Sequence, residues 1–376
     1  MKRRIYLDNN ATTQLDPCVA KAMSDELLAL PSNPSSAHWF GQEAKKRLLT
    51  ARERISSYLK VKPQEIIFTS GGTESMNLLI HGLLSRTPKG HLLTSNIEHP
   101  CVHNTLRSYI SQGWEIDFLP AGLHGAVQID QIERAVRPDT RAMIFTAASS
   151  ETGVKHDLQA IGRICYQHQI PLVIDGVALL GKELFEIPQG VSAIGFSGHK
   201  IHGPKGIGFA FVSSHLKLAP HHLGGDQEYG KRAGTENLPA ILGLAQAIDL
   251  LKENLEEDLL RIQALKEHLE SSLCKEIDPV IINGLGPRIA NTSNLCFPGV
   301  DGEDLLLFLD LSGIAISHGS ACSSGSLEPS RILTSMGIPT ALAKSSVRFS
   351  LSRYTTQEEI DLCIEKVIEI VRKLRQ

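Results

Sequence analysis

A chain of 376 residues that is 42% hydrophobic and 21% charged has the composition of a globular protein with more than one lobe. A formal net charge of −3 argues against nucleic acid as the main partner, and no apolar run approaches the roughly 20 residues a membrane-spanning helix needs. The basic opening Met1-Lys2-Arg3-Arg4 runs on into Tyr6-Leu7-Asp8 rather than an apolar stretch, and the seven scattered cysteines form no CxxC pair, so reduced thiols and a cytoplasmic location are expected.

Taken in chain order, short apolar runs bounded by turns predict strands over 66–70, 91–95, 115–120, 142–147, 171–175, 193–198 and 206–213. Most are near-continuous rather than alternating, as strands buried on both faces are. Helix-like stretches at 73–84 and 158–168 separate several of them, which predicts an α/β domain with a mostly parallel sheet and helices on both sides. Ligands bind beyond the carboxyl ends of such strands, where Ser70, His99, Ser150, Asp175 and Ser197 are expected. Further on, Leu251, Leu255, Leu259, Ile262, Leu265, Leu269 and Leu273 recur at steps of three and four, the stripe of a long helix leading into a smaller C-terminal α+β domain. Its acidic start (Glu253, Glu256, Glu257, Asp258) reads as a solvated face. A last amphipathic helix opens with the capping pattern Thr356-x-x-Glu359 and carries Ile360, Cys363, Ile364, Val367 and Val371 on one side. The expected division is a large domain over 14–255 and a small one made of 1–13 and 256–376.

The chemistry concentrates at strand ends. In Ser197-Gly198-His199-Lys200 a lysine stands behind two polar residues at the mouth of a predicted strand. Such a lysine can form a Schiff base with a carbonyl cofactor while its neighbours hold a phosphate, the arrangement pyridoxal phosphate requires; a surface lysine in a Gly/His turn is the plainer alternative. Thr69-Ser70-Gly71-Gly72-Thr73-Glu74 joins a strand to a helix, and is either an anion cradle at a helix N-terminus or a helix start with a capping hydroxyl. Asp175 can pair with a pyridine nitrogen or cap a helix. Cys322 lies in the Gly/Ser-rich run His318-Gly319-Ser320-Ala321-Cys322-Ser323-Ser324-Gly325, where a thiol is expected to be exposed and reactive. Arg348 sits in a strand-like run where a charge needs a partner, and can hold a carboxylate by a bidentate pair.

Together these residues resemble the cysteine desulfurase family of fold type I pyridoxal-phosphate enzymes, whose large domain carries a mostly parallel seven-stranded sheet. The likeness covers nearly the whole chain: Tyr6-Leu7-Asp8-Asn9-Asn10-Ala11-Thr12-Thr13, Asn33-Pro34-Ser35-Ser36-Ala37-His38, Glu98-His99-Pro100, Glu151-Thr152-Gly153 and Arg232-Ala233-Gly234-Thr235-Glu236-Asn237 all match. The resemblance implies a pyridoxal phosphate site formed by Gly72, Thr73, Ser150, Asp175, Ser197, His199 and Lys200, with His99 stacked on its ring. It implies a homodimer in which Thr235 reaches the cofactor phosphate of the neighbouring subunit. L-cysteine is the implied substrate, bound through Arg348 and Asn10. Lys200 moves protons, His99 assists at the substrate thiol, and Cys322 takes the sulfur as a persulfide while alanine leaves. The segment around 318–330 resembles the longer loop of the branch that hands sulfur to scaffold proteins, for iron–sulfur cluster assembly or thio-modification.

Two positions depart from the family pattern. Ser149-Ser150 stands where the family reads Asn-Asn, and Ala178 where it reads Gln, so two donors to the cofactor's phenolic oxygen are replaced. Asp226 stands where many relatives have histidine. These departures keep open two alternatives: a cofactor-binding homologue of impaired activity that serves as scaffold or sulfur carrier, and a selenocysteine lyase.

Overall fold

A computed structural model of the chain describes residues 4–319 and 329–376. Its strands are β1 (Ile5–Tyr6), β2 (Ile66–Thr69), β3 (His91–Ser95), β4 (Glu115–Leu119), β5 (Thr140–Thr146), β6 (Leu172–Asp175), β7 (Val191–Ser197), β8 (Gly208–Val212), β9 (Ile281–Ile282), β10 (Thr292–Cys296), β11 (Ile314–Ala315) and β12 (Ser346–Ser350). Seven of them form one sheet in the order β2-β8-β7-β6-β5-β3-β4. Pairing is parallel from β7 through β4, and β8 alone runs antiparallel to both its neighbours. The expected mostly parallel seven-stranded sheet is therefore present.

Both faces of this sheet are buried, which is why its strands lack polar alternation. On β2, Ile66 and Phe68 enter one core while Ile67 enters the other. On β7 and β8 the same alternation puts Ile194, Phe196, Phe209 and Phe211 on one side and Ala193, Ala210 and Val212 on the other. Phe196 and Phe209 stack with centroids 4.8 Å apart. Each such fully buried side chain contributes about 1.5–3 kcal/mol by leaving water.

The helix predicted from Leu251 onward in fact spans Leu238–Glu276, with Asn237 as its cap accepting from the amide of Ala240 at 3.3 Å. Its first half is mostly buried, with Leu238, Ala240, Ile241, Leu244, Ala245, Ala247 and Ile248 all enclosed, and only a narrow half-exposed stripe of Leu242, Gln246 and Asp249 marks its outer side. Leu251 and Leu255 pack in the main core, whereas Ile262, Leu265, Leu269 and Leu273 join a separate core with β10, β12 and the helix Gln357–Leu374. Glu253, Glu256 and Glu257 are exposed, as expected of a solvated face. The terminal helix carries the predicted capping box: the amide of Glu359 donates to Thr356 Oγ1 at 3.3 Å, and that of Thr356 to Glu359 Oε2 at 3.1 Å. In the second core β10 lies between β12 and β9, and β1 pairs in parallel with β11. A parallel bridge from Asp8 to Ser350 then ties the N-terminal segment to β12.

Candidate active site

The carboxyl ends of β5, β6 and β7 open onto a cavity of about 210 Å³, closed on the far side by Asn10, Ala11 and Arg348. Ser197 ends β7 with its hydroxyl buried and without a hydrogen-bond partner among the described residues. One 3-10 turn, Gly198–Lys200, follows and turns Lys200 into the cavity. The Lys200 ammonium donates to the carbonyl oxygens of Asn10 and Ala11, the latter at 2.9 Å. The cavity thus decides against a plain surface lysine. His199 also lines it, with Nδ1 3.2 Å from Thr12 Oγ1. Burial, and then the neighbouring charges of Lys200, Lys182 and Lys205, pull its pKa down to about 4, so its ring is neutral.

The helix Gly72–Leu84 begins on the same wall, and no side chain caps its start at Gly71. Gly71 holds φ +156° and ψ −178°, a conformation open to glycine, and a Cβ on Gly72 would stand 2.6 Å from Val177 Cγ2. Uncapped N–H groups, a helix dipole and the unpartnered Ser197 hydroxyl together suit a phosphate.

Asp175 ends β6, 4% exposed, and accepts from the amide of Val177 at 3.0 Å. Burial raises its pKa, while His99 and Lys200 act against that rise. His99 caps the helix Pro100–Ile110, accepting at Nδ1 from the amide of Cys101 at 3.2 Å. A backbone amide can only donate, so His99 Nδ1 is the acceptor of this hydrogen bond. Cys101 Sγ lies 3.0 Å from the same Nδ1, and the donor atoms of His99, Cys101 and Asp175 all fall within 4.8 Å of one another.

Arg348, buried at the centre of β12, pairs with Asp8 at 2.7 Å and donates to the carbonyl of Ser150 at 3.0 Å. Asn10 donates to that same carbonyl at 2.9 Å and to Thr292 Oγ1 at 2.8 Å. Gly72, Thr73, Ser150 and Ala178 line the cavity too, so both positions that depart from the family pattern are at the site.

Thr235, expected at the neighbouring subunit's site, is exposed and does not line this cavity within one chain. Cys322 lies outside the described residues; the flanks of its segment are held near the site, Ser317 and Arg348 exchanging backbone hydrogen bonds at 3.1 and 2.7 Å and Ser330 donating to the buried Glu151. Sequence reasoning passed over Cys101 and Lys182, both of which line the cavity. The only local hint was that Cys101 follows the landmark Glu98-His99-Pro100.

An amine on a strand-end turn, a buried carboxylate, a histidine and an anion cradle in one cavity are the donor set that pyridoxal phosphate requires, and the residues fit it. The aminotransferase class-V family model matches residues 5–363. A cysteine desulfurase of Nostoc sp. is 40% identical over 374 residues, covering 99% of this chain and 94% of that protein. A solved NifS-like protein superposes with a TM-score of 0.92 at 32% identity, covering 99% of this chain and all of the other, and a NifS-like protein from Rickettsia africae does so at 0.87 and 33%, covering 98% and 99%. With fold, cavity and full-length likeness in agreement, the chain belongs to the aminotransferase class-V family and, within it, to the cysteine desulfurases.

Proposed function

We propose that this protein converts L-cysteine to L-alanine and hands the sulfur on from a persulfide of Cys322. The observation that carries this reading is the meeting of Lys200, Asp175, His99 and Arg348 in one cavity. Pyridoxal phosphate, bound through Lys200, Ser197, His199, Ser150 and the Gly72–Thr73 helix start, supplies the electron sink. Asp175 would pair with the cofactor's pyridine nitrogen. Arg348, fixed by Asp8 and the Ser150 carbonyl, takes the substrate carboxylate. Lys200 would move protons on and off the substrate carbons. His99 serves the substrate thiol.

The Cys322 thiolate attacks the substrate sulfur. An S–S bond forms, the C–S bond breaks, and its electron pair remains with carbon, which takes a proton and leaves as alanine. The persulfide sulfur then passes to a scaffold protein's thiolate. Thr235, exposed in a single chain, contributes to the partner subunit's cofactor site in a homodimer. The division into 14–255 on one side and 1–13 with 256–376 on the other belongs to the same proposal.

Borohydride reduction of the yellow protein followed by peptide mapping tests the lysine, and the Cys322→Ser variant tests the thiol. A pyridoxyl label on Lys200, and loss of persulfide with an unchanged cofactor spectrum in the variant, are expected. A label on Lys205, no label, or wild-type sulfide release from Cys322→Ser would overturn it.

A further inference from the structure

Lys182 is 5% exposed, lines the cavity, and belongs to no step described above. It follows Gly181, whose φ is +72°, in the turn after β6. Its Nζ donates to Asn10 Oδ1 at 2.9 Å. No carboxylate pairs with it among the described residues; the charges that act on it are the cations Lys200 and Arg348, and with burial they push its pKa well below the ordinary lysine value. Burial and two neighbouring cations favour the neutral amine of Lys182, whose one hydrogen-bond partner among the described residues is Asn10, and an anion arriving beside it would favour the charged form. Asn10 cannot be that anion, because its Oδ1 also accepts from Asn291 Nδ2 at 3.1 Å, and its amide is committed to Ser150 and Thr292.

We propose that Lys182, steadied by Asn10, is a second cationic anchor for the α-carboxylate of the amino-acid substrate, acting beside Arg348. A carboxylate has two oxygens and about four acceptor sites, more than one guanidinium shared with Asp8 and Ser150 fills. Lys200 serves proton transfer at the substrate carbons, which leaves Lys182 as the basic group with donors to spare. The proposal rests on the desulfurase reading for the identity of the substrate, and it adds a specificity element: amines without a carboxylate gain nothing from Lys182.

The test is calorimetric titration of the cofactor-loaded protein with L-alanine and with ethylamine, which lacks the carboxylate. Lys182→Gln keeps a donor for Asn10 and loses the charge; Lys182→Met loses both. Both variants are expected to bind L-alanine roughly tenfold or more weakly, with ethylamine binding and cofactor retention unchanged. If wild-type protein binds no L-alanine, the desulfurase reading fails and Lys182 falls with it. If wild type binds and Lys182→Gln binds equally well, the anchor alone is refuted. Weakened cofactor retention with unchanged L-alanine binding also refutes it, assigning Lys182 to the cofactor. Should Lys182→Met not fold, Lys182→Gln decides.

Discussion

Glu98 offers the sharpest test of how this site is built. Its carboxyl is fully buried, with Oε1 accepting from Ser95 Oγ at 2.5 Å and from the amide of Thr146 at 2.9 Å, while Oε2 has no partner among the described residues. Burial, and to a lesser degree the charge of Asp175, raises its pKa from 4.5 to about 8 against the pull of its two donors and Arg331. The folded protein therefore holds this proton more tightly than the unfolded chain does. Below pH 4.5 both states are protonated and Glu98 carries no charge penalty. Stability is lost as pH climbs from 4.5 to 8, and the loss is complete above 8. At about 1.4 kcal/mol per pKa unit the full penalty is on the order of 5 kcal/mol, of which roughly 3 falls between pH 6 and 9. Glu98→Gln keeps the acceptor for Ser95 and Thr146 and puts its amide where Oε2 has no partner. The variant should gain on wild type by roughly 3 kcal/mol between pH 6 and 9 in urea unfolding followed at matched ionic strength. A stability difference that stays constant over that range would refute the argument, because it would mean that Glu98 titrates alike in both states.

Other expectations follow from buried pairs and neighbours. Arg52 and Glu228 are joined at 2.6 and 2.8 Å with both side chains buried, and Arg52 lies 4.6 Å over the Phe68 ring. Glu228→Ala strands a buried guanidinium and should cost about 3–5 kcal/mol in denaturant unfolding, whereas Arg52→Met combined with Glu228→Leu should recover most of that loss. Recovery of nothing in the double variant would assign the cost to the buried Phe68 amide, which donates to Glu228 Oε2 at 2.8 Å and loses that acceptor in both variants. Cys101→Ala keeps the amide that orients His99, so desulfurase turnover should stay within about threefold of wild type, less than 1 kcal/mol. A larger drop in turnover would make the Cys101 thiol part of the reaction.

The chain's local pattern was enough to locate the sheet. Strands buried on both faces print as unbroken apolar runs, and the ends of those runs carried Asp175 and Ser197 to the cavity rim. The closing helix was equally legible, since a capping box and a one-sided stripe are properties of neighbours in sequence. What the local pattern could not supply was burial created by distant chain. Gly181-Lys182-Glu183 reads as a surface turn, yet Lys182 is enclosed because Asn10, 172 residues away, meets it across the cavity. Glu98 looks like an ordinary acidic residue until β5 closes over it through Thr146. The mostly apolar first half of the long helix offers only a narrow polar stripe, Gln246 and Asp249, since packing covers most of its circumference. Thr235 is exposed and does not line its own cavity, because within one chain nothing folds over it. Periodicity records which face of an element is wet; which charges face one another is decided only when segments far apart in sequence are brought together.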